Sequence, residues 1–254
     1  MNGIKAHHLI LERQLNKATK CIRKMFNKAS NIQDCVKSIQ EQNSESQSNG
    51  SLMRTTPLSV FCHKLSDDEI YRFTKMDVNL THSHKIVVYA TTCYNIAIAH
   101  LINNFGDSEG AINRVDKYIE NLKKADELKH HWSKIMDAKD ENELIRADKK
   151  IGYIMIAFTY AFFYLKNNFT YQDAIESMLM KGGDTDTNAT IVGGLLGAKS
   201  GLHGIPKKWK QKVINCKNTR PESLQIKSEK DFFNKIDSLI KYAPKSGSKE
   251  IINA

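Results

Sequence analysis

Residues 151–165 read IGYIMIAFTYAFFYL, and this stretch decides the fold. It contains no Asp, Glu, Lys or Arg, and its apolar side chains fall on every side of a helix rather than along one stripe. A helix that is apolar all round lies inside a protein core or a membrane. At a rise of about 1.5 Å per residue it reaches roughly 22 Å, short of the roughly 30 Å hydrocarbon layer of a bilayer. The stretch therefore reads as the central helix of a globular protein.

The flanking sequence keeps the helical period. Ile86, Ala90, Cys93, Ala97 and Leu101 share one face of a long helix that starts at His84. Asp107 or Ser108 caps the next, with Ile112, Val115, Ile119 and Leu122 inward. Ser66-x-x-Glu69 is a capping box opening a helix toward Asn79, so Asp67, Asp68 and Glu69 are first-turn charge on the helix dipole rather than metal ligands. Ile4, Leu11, Leu15, Ala18, Ile22, Met25 and Ala29 give an N-terminal helix one apolar face, and Ser30-x-x-Gln33 opens a short helix with Ile32, Val36 and Ile39 inward. Residues 41–50 are a polar loop. Residues 123–150 are highly charged, with Leu128, Trp132, Ile135 and Leu144 as anchors, and suit a solvated helix pair or an extended loop. No stretch alternates as a strand does. The expected fold is all-α, a compact orthogonal helix bundle.

The chain of 254 residues is long enough to bury a sizeable core. Residues 1–216 are expected to form the helical domain and 217–254 an extension, with one short helix at 228–242 and a mobile tail from Ser246. Five cysteines are scattered without CxxC spacing, which suits reduced thiols and a cytoplasmic protein rather than disulfides or zinc. The N-terminus shows no signal pattern, and no membrane partner is expected. The formal charge is +10, but the lysines are spread out and no nucleic-acid motif is visible, so a small anionic ligand suits the field better than nucleic acid.

After the central helix comes Gly182-Gly183-Asp184-Thr185-Asp186-Thr187-Asn188. Two carboxylates and hydroxyls within four positions of a turn suit a hard cation, which takes oxygen ligands. Capping of the following helix is the plainer reading, and it accounts for one of these residues rather than the run. The helix that follows carries Gly193, Gly194 and Gly197, which cost about 1 kcal/mol each relative to alanine. They make sense where another helix approaches closely. Gly204 ends that helix and Pro206 starts the next.

Four blocks, in order, resemble the ADP-ribosylglycohydrolase family. They are NGSLMRTTPL at 49–58, LTHSH at 80–84, Gly152-Tyr153 with the aromatic helix after it, and GGDTDTNATIVGGLLGAKSGLHGIPKKW at 182–209. The resemblance runs roughly from Lys17 to Trp209. It implies that family's all-α bundle and an activity that cleaves the glycosidic bond between ADP-ribose and a protein side chain, assisted by Mg2+ or Mn2+. It implies Asp184, Asp186 and Thr187 as metal ligands. It also implies Asn49, Gly50, Ser51 and Met53 as the loop holding ribose and pyrophosphate. His82 either donates to the pyrophosphate or caps the next helix, Tyr153 either stacks on adenine or is a plain core residue, and Arg54 either pairs with a carboxylate inside the fold, the preferred reading, or reaches the ligand. His84 reads as structural, and His7-His8 and His130-His131 as surface residues.

The family's opening GDALG-like helix and TDDT motif have no match before Asn49; Glu12 lies on a basic helix. The expectation is thus an N-terminally truncated family domain holding one ion rather than two, with no catalytic residue assigned. A second chain is one route to completing the site. Three classes stay open: an active hydrolase, a degenerate member that binds ADP-ribose or an ADP-ribosylated protein, and an interaction protein that kept only the fold.

Overall fold

A computed structural model describes residues 34, 37, 38, 40, 41, 43–216 and 229–247. The apolar helix expected at residues 4–29, the Ser30 capping box and its inward residues, Glu12, and residues 217–228 lie outside that set. The described residues contain ten α-helices and no sheet. They are α1 (Thr56–Phe61), α2 (Asp67–Asn79), α3 (Lys85–Asn103), α4 (Ser108–Asn121), α5 (Asp126–Asp137), α6 (Ile154–Lys166), α7 (Tyr171–Met180), α8 (Thr185–Gly204), α9 (Lys207–Ile214) and α10 (Glu229–Lys241).

Helix α6 is the central one. Every residue from Ile154 to Leu165 is buried, and the helix packs on α8, α5, α3 and α4. Each large apolar side chain so buried contributes about 1.5–3 kcal/mol. The indole of Trp132 on α5 meets the Phe162 ring edge-on at 5.2 Å and donates Nε1–H to Asp116 at 2.7 Å. The helix starts later than the apolar run. Gly152 sits at φ +79°, which breaks helical backbone, and Ile151 is left 58% exposed in the turn before it.

Side-chain caps start α2, α3 and α4. Ser66 and Glu69 form a complete capping box on α2. Asp107, not Ser108, caps α4 by accepting from Gly110 N at 2.9 Å. His84 Nδ1 accepts from Ile86 N at the start of α3. The charged stretch 123–150 resolves into α5, a 3-10 turn at Glu141–Glu143 and loops, with all four anchors buried. Lys166 Nζ closes the end of α5, donating to the carbonyls of Ile135, Met136 and Ala138 at 2.7–3.0 Å.

The glycines of α8 make room for tyrosines rather than for a second helix backbone. A Cβ on Gly194 would collide with the Tyr94 hydroxyl, which donates to Ile191 O at 2.8 Å. Helix α3 is long and apolar enough to cross a bilayer, yet 78% of its most apolar window is packed inside the protein. Cys62 and Cys93 are buried free thiols, and burial raises Cys62 to about 12. At the C-terminus, α10 packs on α1. Of the tail expected from Ser246, residues 248–254 lie outside the described set; Gly247 N donates to Glu69 Oε1 at 3.0 Å. The Gly247 amide, with Ser246 and Ser66, holds the Glu69 carboxyl down at about 2.

Candidate functional site

Two loops and one helix start converge. The loop before α1 hooks onto the turn before α6, with Asn49 N donating to Gly152 O at 2.8 Å and Ile154 N to Gln47 O at 3.0 Å. The turn before α8 needs its two glycines. Gly182 and Gly183 have φ of +74° and +73°, and a Cβ on Gly183 would collide with the Ala147 carbonyl. That turn delivers Asp184 to the helix start, buried to 4% exposure.

Asp184 holds the cap position but does not cap, since its side chain accepts no hydrogen bond from the helix amides. Its Oδ2 accepts instead from Asn49 Nδ2 at 2.8 Å. One turn along α8, Asn188 Oδ1 lies 3.5 Å from the same amide. Asp184 Oδ1 and Asn188 Nδ2 are buried and have no partner. Buried polar atoms are nearly always satisfied, and each one left open costs about 1–3 kcal/mol. The two unpartnered atoms, one acceptor and one donor, belong to residues one turn apart on α8. Gly152 faces Asp184, where a Cβ would make an ordinary 3.9 Å contact with Oδ2, and glycine is needed there for its φ of +79°.

Asp186 is exposed and Thr187 half-buried on the first turn of α8, so of the three residues read as metal ligands only Asp184 is buried. Among the described residues no group of three or more His, Cys, Asp or Glu side chains is gathered as a metal cluster. The donor set is an open buried carboxylate oxygen with a second carboxylate and a hydroxyl on the same turn. These are oxygen ligands of the kind a hard cation takes, and water or ligand oxygens would have to supply the rest of its shell. Asp148 lies beside Gly182, but Arg146 donates to both its oxygens, at 3.0 and 2.7 Å.

The residues read as the ligand loop divide. Gly50 lies over His82, where a Cβ would be 3.3 Å from Cε1. Ser51 is fully buried, its hydroxyl 3.3 Å from that of Thr91, so its side chain anchors the loop to α3. Met53 is 45% exposed. Arg54 forms the ion pair read for it, with Asp77. His82 is buried and neutral: burial first, and then the charge of Arg54, lower its pKa to about 4. Its Nε2 lies 2.6 Å from Ser48 Oγ and its Nδ1 2.8 Å from Thr81 Oγ1. The helix cap weighed for His82 belongs to His84. Tyr153 precedes α6 instead of lying within it; its hydroxyl donates to Glu127 at 2.9 Å and its ring meets His131 edge-on. His130 is exposed, whereas His131 is half-buried against that ring.

Three contributors escaped the sequence reading. Asn188 carried a usable signal, since it follows Asp184 by four residues on one helix face. Gly152 stood in a quoted block without a role. Ser48 carried no signal, because its importance depends on His82, 34 residues away.

The sequence profile of the ADP-ribosylglycohydrolase family matches residues 6–238, and the chain belongs to that family. A protein of Acanthamoeba polyphaga mimivirus, provisionally named an ADP-ribosyl glycohydrolase, is 28% identical over 199 residues, covering 73% of this chain and 59% of that one. An uncharacterized protein of Archaeoglobus fulgidus is 25% identical over 167 residues, covering 63% of this chain and 51% of that one. The chain thus spans between half and three-fifths of the length of these relatives. A solved structure titled as an ADP-ribosylglycohydrolase-related protein complex superposes with a TM-score of 0.65 at 18% identity, over 92% of this chain and 73% of that one. That likeness establishes the fold.

Proposed function

We propose that the site between Asn49, Gly152 and Asp184 receives the ADP-ribose of an ADP-ribosylated protein side chain, and that the chain is a metal-assisted ADP-ribosylglycohydrolase of low turnover. The observation that carries this reading is the buried, unpartnered Oδ1 of Asp184, with the unpartnered Nδ2 of Asn188 one turn along the same helix. Asp184, Asp186 and Thr187 would hold one Mg2+ or Mn2+ ion. Such an ion, when bound, orients oxygens of the substrate and of a water and stabilises developing negative charge. The chain's own residues do the rest. Asn49 fixes the Asp184 carboxylate, and Asn188 offers an amide N–H to a ligand oxygen. The scattered reduced cysteines support a cytoplasmic setting for this activity.

A second reading is recognition of ADP-ribose without hydrolysis. The exposure of Asp186, with no third acid gathered beside Asp184 among the described residues, favours it. Titration calorimetry with ADP-ribose, with and without Mg2+, tests what both readings share. Binding that disappears in Asp184→Asn is expected; no binding by the wild-type chain would reject both.

A further inference from the structure

We infer that the Arg54–Asp77 pair, acting through Thr81, fixes His82 as the Nε2–H tautomer, so that the Ser48 hydroxyl accepts from His82 and keeps its own proton for an oxygen of the ligand. The ligand half of this inference rests on the proposed function.

The relay is continuous. Arg54 Nη1 donates to Thr81 Oγ1 at 2.8 Å, Thr81 Oγ1 lies 2.8 Å from His82 Nδ1, and His82 Nε2 lies 2.6 Å from Ser48 Oγ. Asp77 anchors its far end: Arg54 Nη2 donates to the Asp77 carbonyl at 2.8 Å and lies 3.2 Å from its carboxylate. A guanidinium only donates, so Thr81 Oγ1 must accept there. Two arrangements remain. Thr81 passes its proton bond on to Nδ1, and Nε2–H then donates to Ser48. Alternatively Thr81 accepts twice, Nδ1 carries the proton, and Ser48 donates inward to Nε2.

Electrostatics chooses between them. The Arg54 cation lies on the Nδ1 side of the ring, so it favours the lone pair facing it and the N–H on the far nitrogen. A hydroxyl that accepts from a cation is also a better donor, and successive bonds in such a chain strengthen one another. The ring has little freedom to turn, being 8% exposed and packed against Gly50. Ser48 Oγ has no second partner among the described residues, and its backbone bridges Tyr153 beside Gly152 and Asn49. Ser48 is half-buried and directly precedes Asn49 in the chain, and its proton then has no acceptor among the described residues, so it is left for a ligand oxygen at the proposed site. Ser48 is then a binding group, and His82, Thr81 and Arg54 are positioning residues.

The test is the His82 tautomer in the full chain, read from long-range 1H–15N correlations and assigned by the signals missing in His82→Gln. Nε2–H is expected in the protein without ligand, and Nδ1–H overturns the inference whatever the protein binds. Thr81→Val should lose the preference for Nε2–H and Thr81→Ser should restore it; a role in packing alone would leave the tautomer unchanged. Calorimetry with ADP-ribose then tests the ligand half. Ser48→Ala and Thr81→Val should bind about tenfold or more weakly, with Thr81→Ser near wild type. Wild-type binding that Ser48→Ala leaves intact overturns the donor role. A wild-type chain that binds no ADP-ribose rejects the proposed function and the ligand half with it, while the relay still stands or falls on the tautomer.

Discussion

The side-chain amide of Asn49 donates to Asp184 at 2.8 Å across 135 residues of sequence, joining the loop before α1 to the start of α8. It is a bond between two buried side chains, and one of them keeps an open oxygen. Removing the amide leaves both carboxylate oxygens without a protein donor. Asn49→Ala should therefore lower stability by about 2 kcal/mol, read as the shift in urea unfolding. Asn49→Asp should cost more at neutral pH, because it sets a second carboxylate against the first. Mn2+ should recover more of that loss than it adds to the wild type. An unchanged urea midpoint in Asn49→Ala would show that the bond contributes nothing in solution.

Divalent metal should stabilise the wild-type chain modestly through Asp184 and Asp186. Binding to the folded state alone raises the melting temperature by mass action. The Mn2+-dependent rise should vanish in Asp184→Asn, where the buried charge is lost, and shrink in Asp186→Asn, whose carboxylate is already hydrated. A rise that survives the double substitution would place the ion elsewhere.

The turn that delivers Asp184 makes a steric prediction. Gly183→Ala needs a side chain at φ +73° and drives its Cβ into the Ala147 carbonyl. The cost should be about 2–3 kcal/mol or more, with metal stabilisation lost alongside. Gly197→Ala is the contrast. Its Cβ would meet the Tyr171 ring at an ordinary 3.7 Å inside a helix, so the change should be neutral or stabilise by up to about 1 kcal/mol. Equal effects from the two would refute the assignment of the turn as the element that sets the site.

What the sequence revealed and what it hid follow physical lines. Helix α6 was legible because its apolar residues leave no polar face, and α2 and α4 because caps are local chemistry. In the Asp184 run the sequence shows two carboxylates in one turn but not that Asp184 is buried while Asp186 faces solvent, because the partner of Asp184 comes from the loop at Asn49. The start of α6 was misplaced by three residues because hydropathy does not register the positive φ of Gly152. The partners of His82 and Tyr153 were hidden for a different reason. Ser48, Glu127 and His131 reach them from other elements, and no periodicity encodes such contacts.

His82 makes stability depend on pH in a defined direction. Its folded pKa of about 4 lies below the ordinary 6.5, through burial and then the Arg54 charge. Between those values the unfolded chain binds more protons than the folded one, so stability falls as pH drops from 6.5 toward 4. The full loss from this group is on the order of 3 kcal/mol. Urea midpoints between pH 7 and pH 5 should fall less steeply in His82→Gln than in the wild type. Parallel profiles would mean that His82 titrates normally in the folded protein.

The wild-type chain by itself should release little ADP-ribose from ADP-ribosyl-arginine or ADP-ribosyl-serine, even with saturating Mg2+. Asp184 and Asp186 together offset the charge of one divalent ion, and they do so at the positive end of α8, which works against cation binding. A second ion would sit largely uncompensated in a partly buried place, a costly arrangement. Asp148, the carboxylate beside the Gly182 turn, is already held by Arg146, which keeps its pKa below the usual carboxylate range and makes it a poor proton donor. Lack of a well-placed acid or base costs about a hundred- to ten-thousand-fold in rate. Arg146→Ala frees Asp148, and a rise in its turnover would show that this carboxylate can serve the reaction. Substantial release by the unmodified chain, abolished by Asp186→Asn, would show instead that the acids already present suffice and would replace the low-turnover reading with full activity.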